Sequence, residues 1–255
     1  MFANERMNYI CELLKKNGAV TTAQVSHDLN VSVETIRRDF LALEEENRLL
    51  RVHGGAVLPS GGVERMPLTD RLEINREEKR ILSDAACDFI KNGDIIAVDT
   101  GSTAVEFAEI LSLRFKELTV ITHSLDVFER LQNKSGFKNI LVGGIYLPDE
   151  KAFCGLPAVE AYKILHCDKA FITPAAISLK NGLSDCGERL MTVERQMIES
   201  ADEIFVLADS DKFEKTALYR MAPISSRFTL VTDSGLSEEL KSLYKENGIT
   251  VAAKG

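Results

Sequence analysis

The hydrophobic positions of this chain follow two different periodicities, and the change between them occurs near residue 60. In residues 1–57 the apolar side chains recur every three or four positions, which is the spacing of amphipathic helices. From about residue 79, short and nearly continuous apolar runs alternate with helical patterns, which is typical of buried strands in a parallel α/β sheet. The pattern therefore predicts a small helical domain followed by a larger α/β domain.

The first domain is predicted to hold three helices and a hairpin. The capping residues are Asn4 for the first helix, Thr21 or Thr22 for a short second helix, and Ser32 for a third helix that ends near residue 46. The apolar segments that follow flank His53-Gly54-Gly55 and predict a β-hairpin. Three helices and a hairpin are the pattern of a winged helix.

The second domain is predicted to contain a largely parallel sheet with helices between its strands. Apolar runs predict strands at 95–98, 118–122, 140–142, 170–173, 204–208, 228–232 and 249–252. Helical patterns separate most of them, at 80–91, 103–113, 124–133, 188–200 and 236–246. We therefore divide the chain into a domain at 1–58, a linker at 59–74, which begins with a Pro-Ser-Gly-Gly stretch, and an α/β domain at 75–255.

Composition and charge narrow the class of protein. The chain has 255 residues, of which 45% are hydrophobic, so it is long enough for one large domain or two of ordinary size. Its 31 Lys and Arg against 39 Asp and Glu exclude a protein that coats nucleic acid non-specifically, because such proteins are basic. A specific DNA reader, with a few basic residues on one surface, remains compatible with this balance.

The sequence predicts a cytoplasmic protein without a metal site or cofactor. No apolar run approaches the roughly 20 residues that span a bilayer, and the first residues do not resemble a signal peptide. The five cysteines are scattered and lack metal-ligand spacing, and the four histidines are equally dispersed. Neither a disulfide framework nor a zinc site is expected.

The third helix has the layout of a recognition helix. At about 100° per residue, Val33, Ile36, Phe40 and Leu43 form an inward stripe, and Arg37 and Asp39 lie on its flanks. The outward face carries Glu34, Thr35, Arg38 and Ala42. Arg38 is suited to a guanine edge and Thr35 to a base edge or a thymine methyl. An ordinary amphipathic helix whose arginines face water would show the same periodicity.

Further contacts to the DNA backbone are expected around this helix. Ser32 and the amides at the helix start suit a phosphate, and Arg37 and Arg51 are expected to meet the phosphate backbone. His53 and Gly54 would form the tip of the wing. The acidic run at 44–46 would be repelled by phosphates, so this end of the helix is expected to point away from DNA.

Residues 6–57 resemble the N-terminal domain of DeoR-family transcriptional regulators. The resemblance rests on Ser-x-Glu-Thr-Ile-Arg-Arg-Asp at 32–39 and on Arg-Val-His-Gly-Gly-Ala at 51–56. It implies a winged helix-turn-helix that binds operator DNA, usually as a repressor.

Polar clusters in the second domain recur directly after predicted strands. Because ligands of open α/β sheets bind at the carboxyl ends of strands, the clusters are expected to converge on one pocket. Lys212 would supply a charge for a phosphate, and Asp99 would accept sugar hydroxyls. The candidate effector-binding residues are Asp99, Gly101, Ser102, Thr103, His123, Ser124, Gly143, Gly144, Asp185, Asp209 and Lys212. Each element also has a structural interpretation: Gly and Ser at 101–102 as residues that merely turn the chain, Gly143 and Gly144 as a strand end, His123 as a turn residue and Lys212 as a solvated lysine.

The resemblance extends over residues 72–235, which are similar to the sensor domain of the DeoR family. It is carried by short motifs that include Glu78-Lys79-Arg80, Asp99-x-Gly101-Ser102-Thr103, Thr122-x-Ser124-Leu125, Gly143-Gly144, Asp168-x-Ala170-Phe171 and Asp209-Ser210-x-Lys212-Phe213. It implies a fold like that of sugar-phosphate isomerases and a phosphorylated sugar or related metabolite as effector. Two positions depart from the family: His123 stands where Asn is common, and Pro174-Ala175-Ala176 replaces a Gly-rich segment.

Two other classes of function compete with a regulator. The turn at 99–104 is similar to the phosphate turn of ribose-5-phosphate isomerases, but the acidic and Lys-Gly-rich catalytic segments of those enzymes are missing from the sequence. An interaction module that uses the fold without a ligand is the third class, and no metabolite would alter its thermal stability. The expected function is a repressor of a sugar or sugar-acid operon, acting as a homo-oligomer (dimer or tetramer) on double-stranded operator DNA and without any membrane association.

Overall fold

The structure, a computed structural model, describes residues 2–17, 19–46, 48–52, 55–57, 66–217 and 219–254. The chain divides into two compact units, one formed by residues 1–65 with 215–218 and the other by 66–214 with 219–255. Each unit has a hydrophobic core of its own. Among the helices described, none has both the length and the apolar composition that crossing a membrane requires.

The first unit packs three helices against a small antiparallel sheet. The helices are α1 (Ala3–Asn17), α2 (Thr22–Leu29) and α3 (Val33–Glu45), and the strands are β1 (Ala19–Thr21), β2 (Leu50–Val52) and β3 (Gly55–Val57). The strand order is β1-β3-β2. The three predicted helices and the hairpin are confirmed, but α1 begins at Ala3, so Asn4 lies within its first turn and is not its cap. The pattern does not predict β1, because three residues are too few to show a periodicity.

Caps and one close backbone approach define the turns of this unit. The hydroxyls of Thr21 and Ser32 each accept a hydrogen bond of 3.1 Å from the amide three residues later, which begins α2 and α3. Asn30, with φ of 50°, ends α2 in the left-handed conformation. A Cβ on Gly55 would lie 2.1 Å from the carbonyl oxygen of Val20, so β3 can approach β1 only with glycine there.

The second unit is built on a seven-stranded sheet whose strand pairs are all parallel. The predicted largely parallel sheet is confirmed, and each predicted apolar run overlaps one strand. In their order across the sheet, the strands are β15 (Thr250–Lys254), β14 (Phe228–Asp233), β12 (Ala201–Leu207), β9 (Cys167–Ile172), β4 (Ile95–Val98), β5 (Leu118–Thr122) and β6 (Phe137–Leu141).

Helices cover both faces of this sheet, which explains why its strands are apolar on both sides. One face packs against α5 (Arg76–Cys87), α6 (Ser102–Arg114) and α7 (Leu125–Leu131). The other face packs against α8 (Leu156–Ile164), α9 (Glu188–Glu199) and α10 (Glu238–Glu246). The pattern of apolar runs does not predict α8.

Several short strands lie near the carboxyl edge of the sheet, and the sequence pattern does not predict them. A hairpin is formed by β7 (Ile145–Leu147) and β8 (Ala152–Cys154), and a three-residue 3₁₀ turn, Pro148–Glu150, connects them. A second antiparallel sheet joins β10 (Ala176–Ser178), β11 (Gly182–Asp185) and β13 (Tyr219–Ala222). Strands of three or four residues depend on their neighbours for pairing, so local periodicity carries little information about them.

Two boundaries differ from the expected ones. Helix α5 begins at Arg76 rather than at residue 80, because Asn75 turns the chain with φ of 50° and Glu77 and Glu78 favour the first helical turn. The segment 59–74, predicted as a linker, contains the short helix α4 (Leu68–Glu73), whose Leu68 is buried. Residues 58–65 lie outside the described part of the chain.

Candidate nucleic-acid interface and anion-binding site

The exposed face of α3 presents two arginines to solvent. The side chain of Arg38 is 81% exposed and lies 4.0 Å from Glu34, while Arg37 is 66% exposed and lies 3.7 Å from the same carboxylate. Ion pairs this exposed contribute little to stability, so either guanidinium can move to another anion at low cost. The outward direction predicted for Arg38 is therefore observed.

The start of α3 is organised around the Ser32 hydroxyl. Ser32 Oγ accepts the amide hydrogen of Thr35 at 3.1 Å, and the two hydroxyl oxygens lie 2.9 Å apart. The cap holds the Thr35 side chain in one orientation at the helix start. That Ser32 contacts a phosphate and Thr35 a base stays a prediction.

Arg51 is engaged within the first unit. Its backbone amide donates to Glu44 Oε1 at 2.9 Å, and its Nε donates to Glu44 Oε2 at 2.6 Å. These hydrogen bonds hold the pKa of the Glu44 carboxyl below its ordinary value. A phosphate would have to compete with Glu44 for Arg51, which makes the predicted contact of Arg51 with DNA weaker than that of a free arginine. His53 and Gly54, the predicted wing tip, lie outside the described residues.

Two residues of α3 lie differently from the helical-wheel expectation. Val33, expected in the inward stripe, is 40% exposed because it occupies the first turn, beyond the end of the core. Asp39, expected on a flank, is 4% exposed. Arg6 of α1 donates to its two carboxylate oxygens, from Nε at 2.8 Å and from the second guanidinium nitrogen at 3.0 Å. This pair ties α1 to α3.

In the second unit, the direction of strand order reverses between β4 and β9. Asp99 follows β4 and Thr173 follows β9, so both lie at the crevice where open α/β sheets bind ligands. Asp99 is fully buried, and its carboxylate accepts the amides of Thr100 and Thr173 at 2.8 Å each. These bonds join the ends of the two strands and place Asp99 beneath the crevice.

The first turn of α6 forms the wall of this crevice. Gly101, with φ of 100°, precedes the helix, and the side chains of Ser102 and Thr103 are buried in its first turn. A guanidinium nitrogen of Arg71, on α4, lies 3.6 Å from the position that a Cβ on Gly101 would occupy. The first-turn amides of a helix have no partner within the helix, so the start of α6 brings these donors and the positive end of the helix dipole close to the Arg71 guanidinium, which is an arrangement that binds anions.

A second group of charges adjoins the first turn of α6. The Nζ of Lys79 donates to the backbone carbonyls of Arg71 and Ile74, and burial lowers the pKa of this lysine to about 8. Burial raises the pKa of Asp209, while the positive charges of Lys212 and Lys79 oppose that rise. Asp209 and Lys212 are therefore brought together, and Lys79 joins them.

Arg71, Asn75 and Lys79 are absent from the predicted effector-binding residues. Asn75 Nδ2 donates to Asp211 at 2.9 Å and to Asp209 at 3.4 Å. All three precede β4, the first strand of the sheet in the chain, whereas the predicted effector-binding residues all follow predicted strands. The signal available in the sequence was Lys79 within the resembling motif at 78–80.

The other candidate residues are distributed unevenly. His123 and Ser124 are fully buried after β5, and Ser124 caps α7 by accepting the Val127 amide at 3.3 Å. Gly143 and Gly144 are exposed after β6. A Cβ on Gly144 would lie 2.4 Å from the Cys154 carbonyl oxygen, so this glycine permits the β7–β8 hairpin. Asp185 ends β11, where its carboxylate accepts the amide of Gly187 at 2.9 Å.

His123 and Asp99 form a buried pair. His123 Nε2 lies 3.5 Å from Asp99 Oδ1, and His123 Nδ1 lies 3.3 Å from the Tyr162 hydroxyl oxygen. Burial raises the pKa of Asp99 to about 7, with the charge of Asp185 adding to the rise and the Thr173 and Thr100 amides opposing it. Burial lowers the pKa of His123 to about 4. Between these values the folded pair holds one proton, on the carboxyl group.

Variants of this pair are expected to give opposite pH dependences of stability. Between about pH 4 and 6.5 the wild-type pair holds one proton when folded, on Asp99, and one when unfolded, on His123, so its contribution is flat. In Asp99→Asn the remaining titrating group is His123, which binds a proton in the unfolded state but not in the folded state. The free energy of unfolding should therefore rise with pH, by up to about 1.4 kcal/mol per pH unit. In His123→Asn the remaining titrating group is Asp99, which binds a proton in the folded state but not in the unfolded state. The free energy of unfolding should therefore fall as the pH rises towards 7.

Urea unfolding of the three proteins from pH 4 to 7.5 measures these slopes. The difference between each variant and wild type removes the contribution of all other titrating groups. Parallel curves for the three proteins would contradict the assignment of the shared proton.

Comparison with known proteins places both units in families of described function. A model of the DeoR-like helix-turn-helix domain matches residues 6–61. A model of the DeoR C terminal sensor domain matches residues 74–234.

Curated relatives match over nearly the whole chain. The HTH-type transcriptional regulator YulB of Bacillus subtilis is 32% identical over 99% of this chain and 97% of its own length. The HTH-type transcriptional repressor GlcR of the same organism is 32% identical over 98% and 95%. The glycerol-3-phosphate regulon repressor of Escherichia coli is 31% identical over 92% of each chain. Among solved structures, ribose 5-phosphate isomerase A of Methanocaldococcus jannaschii covers 55% of each chain with a TM-score of 0.40 and 20% identity.

Proposed function

The chain belongs to the DeoR family of transcriptional regulators, and on that premise we propose that it represses a sugar or sugar-acid operon under the control of a phosphorylated sugar. It is a DNA-binding regulator and not an enzyme. The names of two relatives, a repressor called GlcR and a glycerol-3-phosphate regulon repressor, support this class of target and effector. The observation that carries the proposal is the convergence of Arg71 and the first turn of α6, with Lys79 and Lys212 beside them.

DNA is read by the exposed face of α3 in this proposal. Arg38 and Thr35 contact base edges in the major groove, while Ser32 and Arg37 contact phosphates and Glu34 orients the two arginines. Arg51, His53 and Gly54 add backbone contacts from the hairpin. A homo-oligomer, dimer or tetramer, would place two such helices on repeated half-sites, and binding to chromosomal DNA places the protein in the cytoplasm.

The effector binds the crevice at the ends of β4 and β9 in this proposal. Its phosphate lies against Gly101, Ser102 and Thr103, with Arg71 and Lys212 as the cations. Its hydroxyls are held by polar groups around the crevice, drawn from His123, Ser124, Gly143, Gly144, Asp185 and Asp209. Asp99, whose oxygens already accept two backbone amides, positions the turn rather than binding the sugar.

Replacing Lys212 with alanine is expected to abolish the effector response and to leave operator affinity unchanged. The typical coupling between two such sites is about 1–3 kcal/mol, so the wild-type response should be roughly 5- to 150-fold in operator affinity. Fluorescence anisotropy of labelled DNA from upstream of the protein's own gene cluster measures this, at fixed salt and with a panel of phosphosugars. Lys163→Ala is the matched control, since Lys163 pairs with Glu160 on the outer surface of α8.

Three results would overturn parts of the proposal. Loss of operator binding in a folded Lys212→Ala protein would contradict the separation of the two sites. Isomerisation of ribose 5-phosphate by the purified chain would favour an enzyme. A pure interaction module would show no thermal stabilisation by any phosphosugar, whereas a ligand at 100 times its Kd adds about 2.7 kcal/mol.

A further inference from the structure

In the crevice, Arg71 forms an ion pair with a buried carboxylate, that of Glu150. Glu150, on the turn between β7 and β8, is 4% exposed, and a guanidinium nitrogen of Arg71 donates to its Oε2. The backbone carbonyl of Glu150 accepts a hydrogen bond from the Thr100 hydroxyl at 3.4 Å, which holds the turn against the chain just before α6. A buried carboxylate thus lies beside the proposed phosphate position.

The surroundings of Glu150 are those that favour an anion. A second guanidinium nitrogen of Arg71 faces Gly101, 3.6 Å from the position of a Cβ on that residue. The Nε of Arg71 is buried and has no hydrogen-bond partner among the described residues, so the guanidinium keeps an unused donor. The amino end of α6 adds the partial positive charge of its dipole. Glu150 therefore supplies the negative charge that this group of donors attracts.

The turn that carries Glu150 is anchored on its other side. Lys151, with φ of 44°, pairs with Asp126 at 3.1 Å, and its carbonyl accepts the Leu125 amide at 2.8 Å. These contacts fix the turn to the start of α7. The hairpin is therefore held by contacts other than the Arg71–Glu150 ion pair, and exchange of that pair leaves these contacts in place.

We propose that Glu150 is an internal anion that holds Arg71 in the empty site and that the phosphate of the effector displaces it. The inference rests on the proposed function. Glu150 and the phosphate position beside Gly101 share the guanidinium of Arg71, and two negative groups this close to one cation repel each other. A phosphate monoester carries about two negative charges and three acceptor oxygens, whereas a carboxylate carries one charge, so Glu150 makes the site select phosphate monoesters over weaker anions.

The exchange also acts on the helix that precedes the sensor fold. Arg71 lies on α4, the first helix after residues 58–65 in the chain. A phosphate that takes Arg71 from Glu150 changes the contacts of α4, and so the response to the effector begins within the segment 59–74 that was predicted as the linker.

Binding of inorganic phosphate to the full chain tests this competition. Isothermal titration at constant ionic strength compares wild type with Glu150→Gln, which keeps the size of the side chain and a carbonyl oxygen for Arg71. We expect Glu150→Gln to bind phosphate about tenfold more tightly, a change of about 1.4 kcal/mol. Asp149→Asn is the matched control, because it removes one negative charge from an exposed position on the same turn and should bind like wild type.

A double-variant cycle separates exchange at Arg71 from simple repulsion. We expect Arg71→Gln to weaken phosphate binding and to reduce the gain from Glu150→Gln to less than threefold. An equal gain with and without Arg71 would overturn the proposal, because Glu150 would then act only through its field. Equal or weaker binding by Glu150→Gln would overturn it as well.

The outcome for Glu150 is distinguishable from that of the proposed function. If the wild-type protein binds no phosphate, the proposal requires that Glu150→Gln binds it. If neither protein binds phosphate, the proposed competition between Glu150 and phosphate for Arg71 is wrong. The proposed function is judged separately, by whether a phosphosugar changes operator binding and whether Lys212→Ala loses that change.

Discussion

Asp39→Ala is expected to unfold or nearly unfold the first unit and to abolish operator binding. The carboxylate of Asp39 receives two hydrogen bonds from Arg6, whose side chain is only 13% exposed. Removing one partner of such a buried pair leaves a charge without compensation, at a typical cost of about 3–5 kcal/mol. A small domain has a total stability of about 5–15 kcal/mol, so this loss removes a large part of it.

Urea unfolding followed by circular dichroism, together with operator anisotropy, measures this effect. For the unfolding measurement, Glu34→Ala is the matched control, because the Glu34 carboxylate is 63% exposed and its loss should change the free energy of unfolding by less than about 0.5 kcal/mol. The double variant Arg6→Met, Asp39→Leu should recover much of the stability, since an apolar pair replaces the buried charges. If the free energy of unfolding of Asp39→Ala lies within about 1 kcal/mol of the wild-type value, the buried pair of Arg6 and Asp39 does not have the stabilising role assigned to it.

Arg38→Ala is expected to weaken operator binding by about 1–3 kcal/mol and to relax base preference at one position of each half-site. The reason is that Arg38 is 81% exposed on the outward face of α3, and its exposed pair with Glu34 is easily exchanged for a base edge. Competition anisotropy against operators with single base changes, at one salt concentration, measures the loss of discrimination.

Arg37→Ala is the matched variant for this measurement. It removes a neighbouring guanidinium that pairs with the same Glu34. If Arg37 contacts a phosphate, its loss should weaken all sequences alike and lower the salt dependence of binding by about one charge. If Arg38→Ala discriminates the operator from random DNA as well as wild type does, the assignment of Arg38 to a base is wrong.

The regular helices and strands can be predicted from the local pattern, because the helices are buried along one face and the central strands are buried on both faces. The stripe of Ile36, Phe40 and Leu43 predicts α3, and apolar runs such as 204–208 predict strands covered on both faces. The polar residues after strands were also predictable, since parallel strands end at one edge of the sheet. Strand β1 was not predictable, because its pairing partner β3 lies beyond two helices in the chain, and β7 and β8 were not, because three residues each are too few to show a periodicity.

The sequence by itself determined the two-domain order, the exposed arginines of α3 and the presence of polar groups at one edge of the sheet, because each depends on spacing within a single segment. Only the tertiary structure decided which charges meet. The pairs Arg6–Asp39, Arg71–Glu150 and His123–Asp99 join residues that are 33, 79 and 24 positions apart in the chain. Such contacts depend on how helices and strands pack in three dimensions, and one-dimensional periodicity carries no information about that packing.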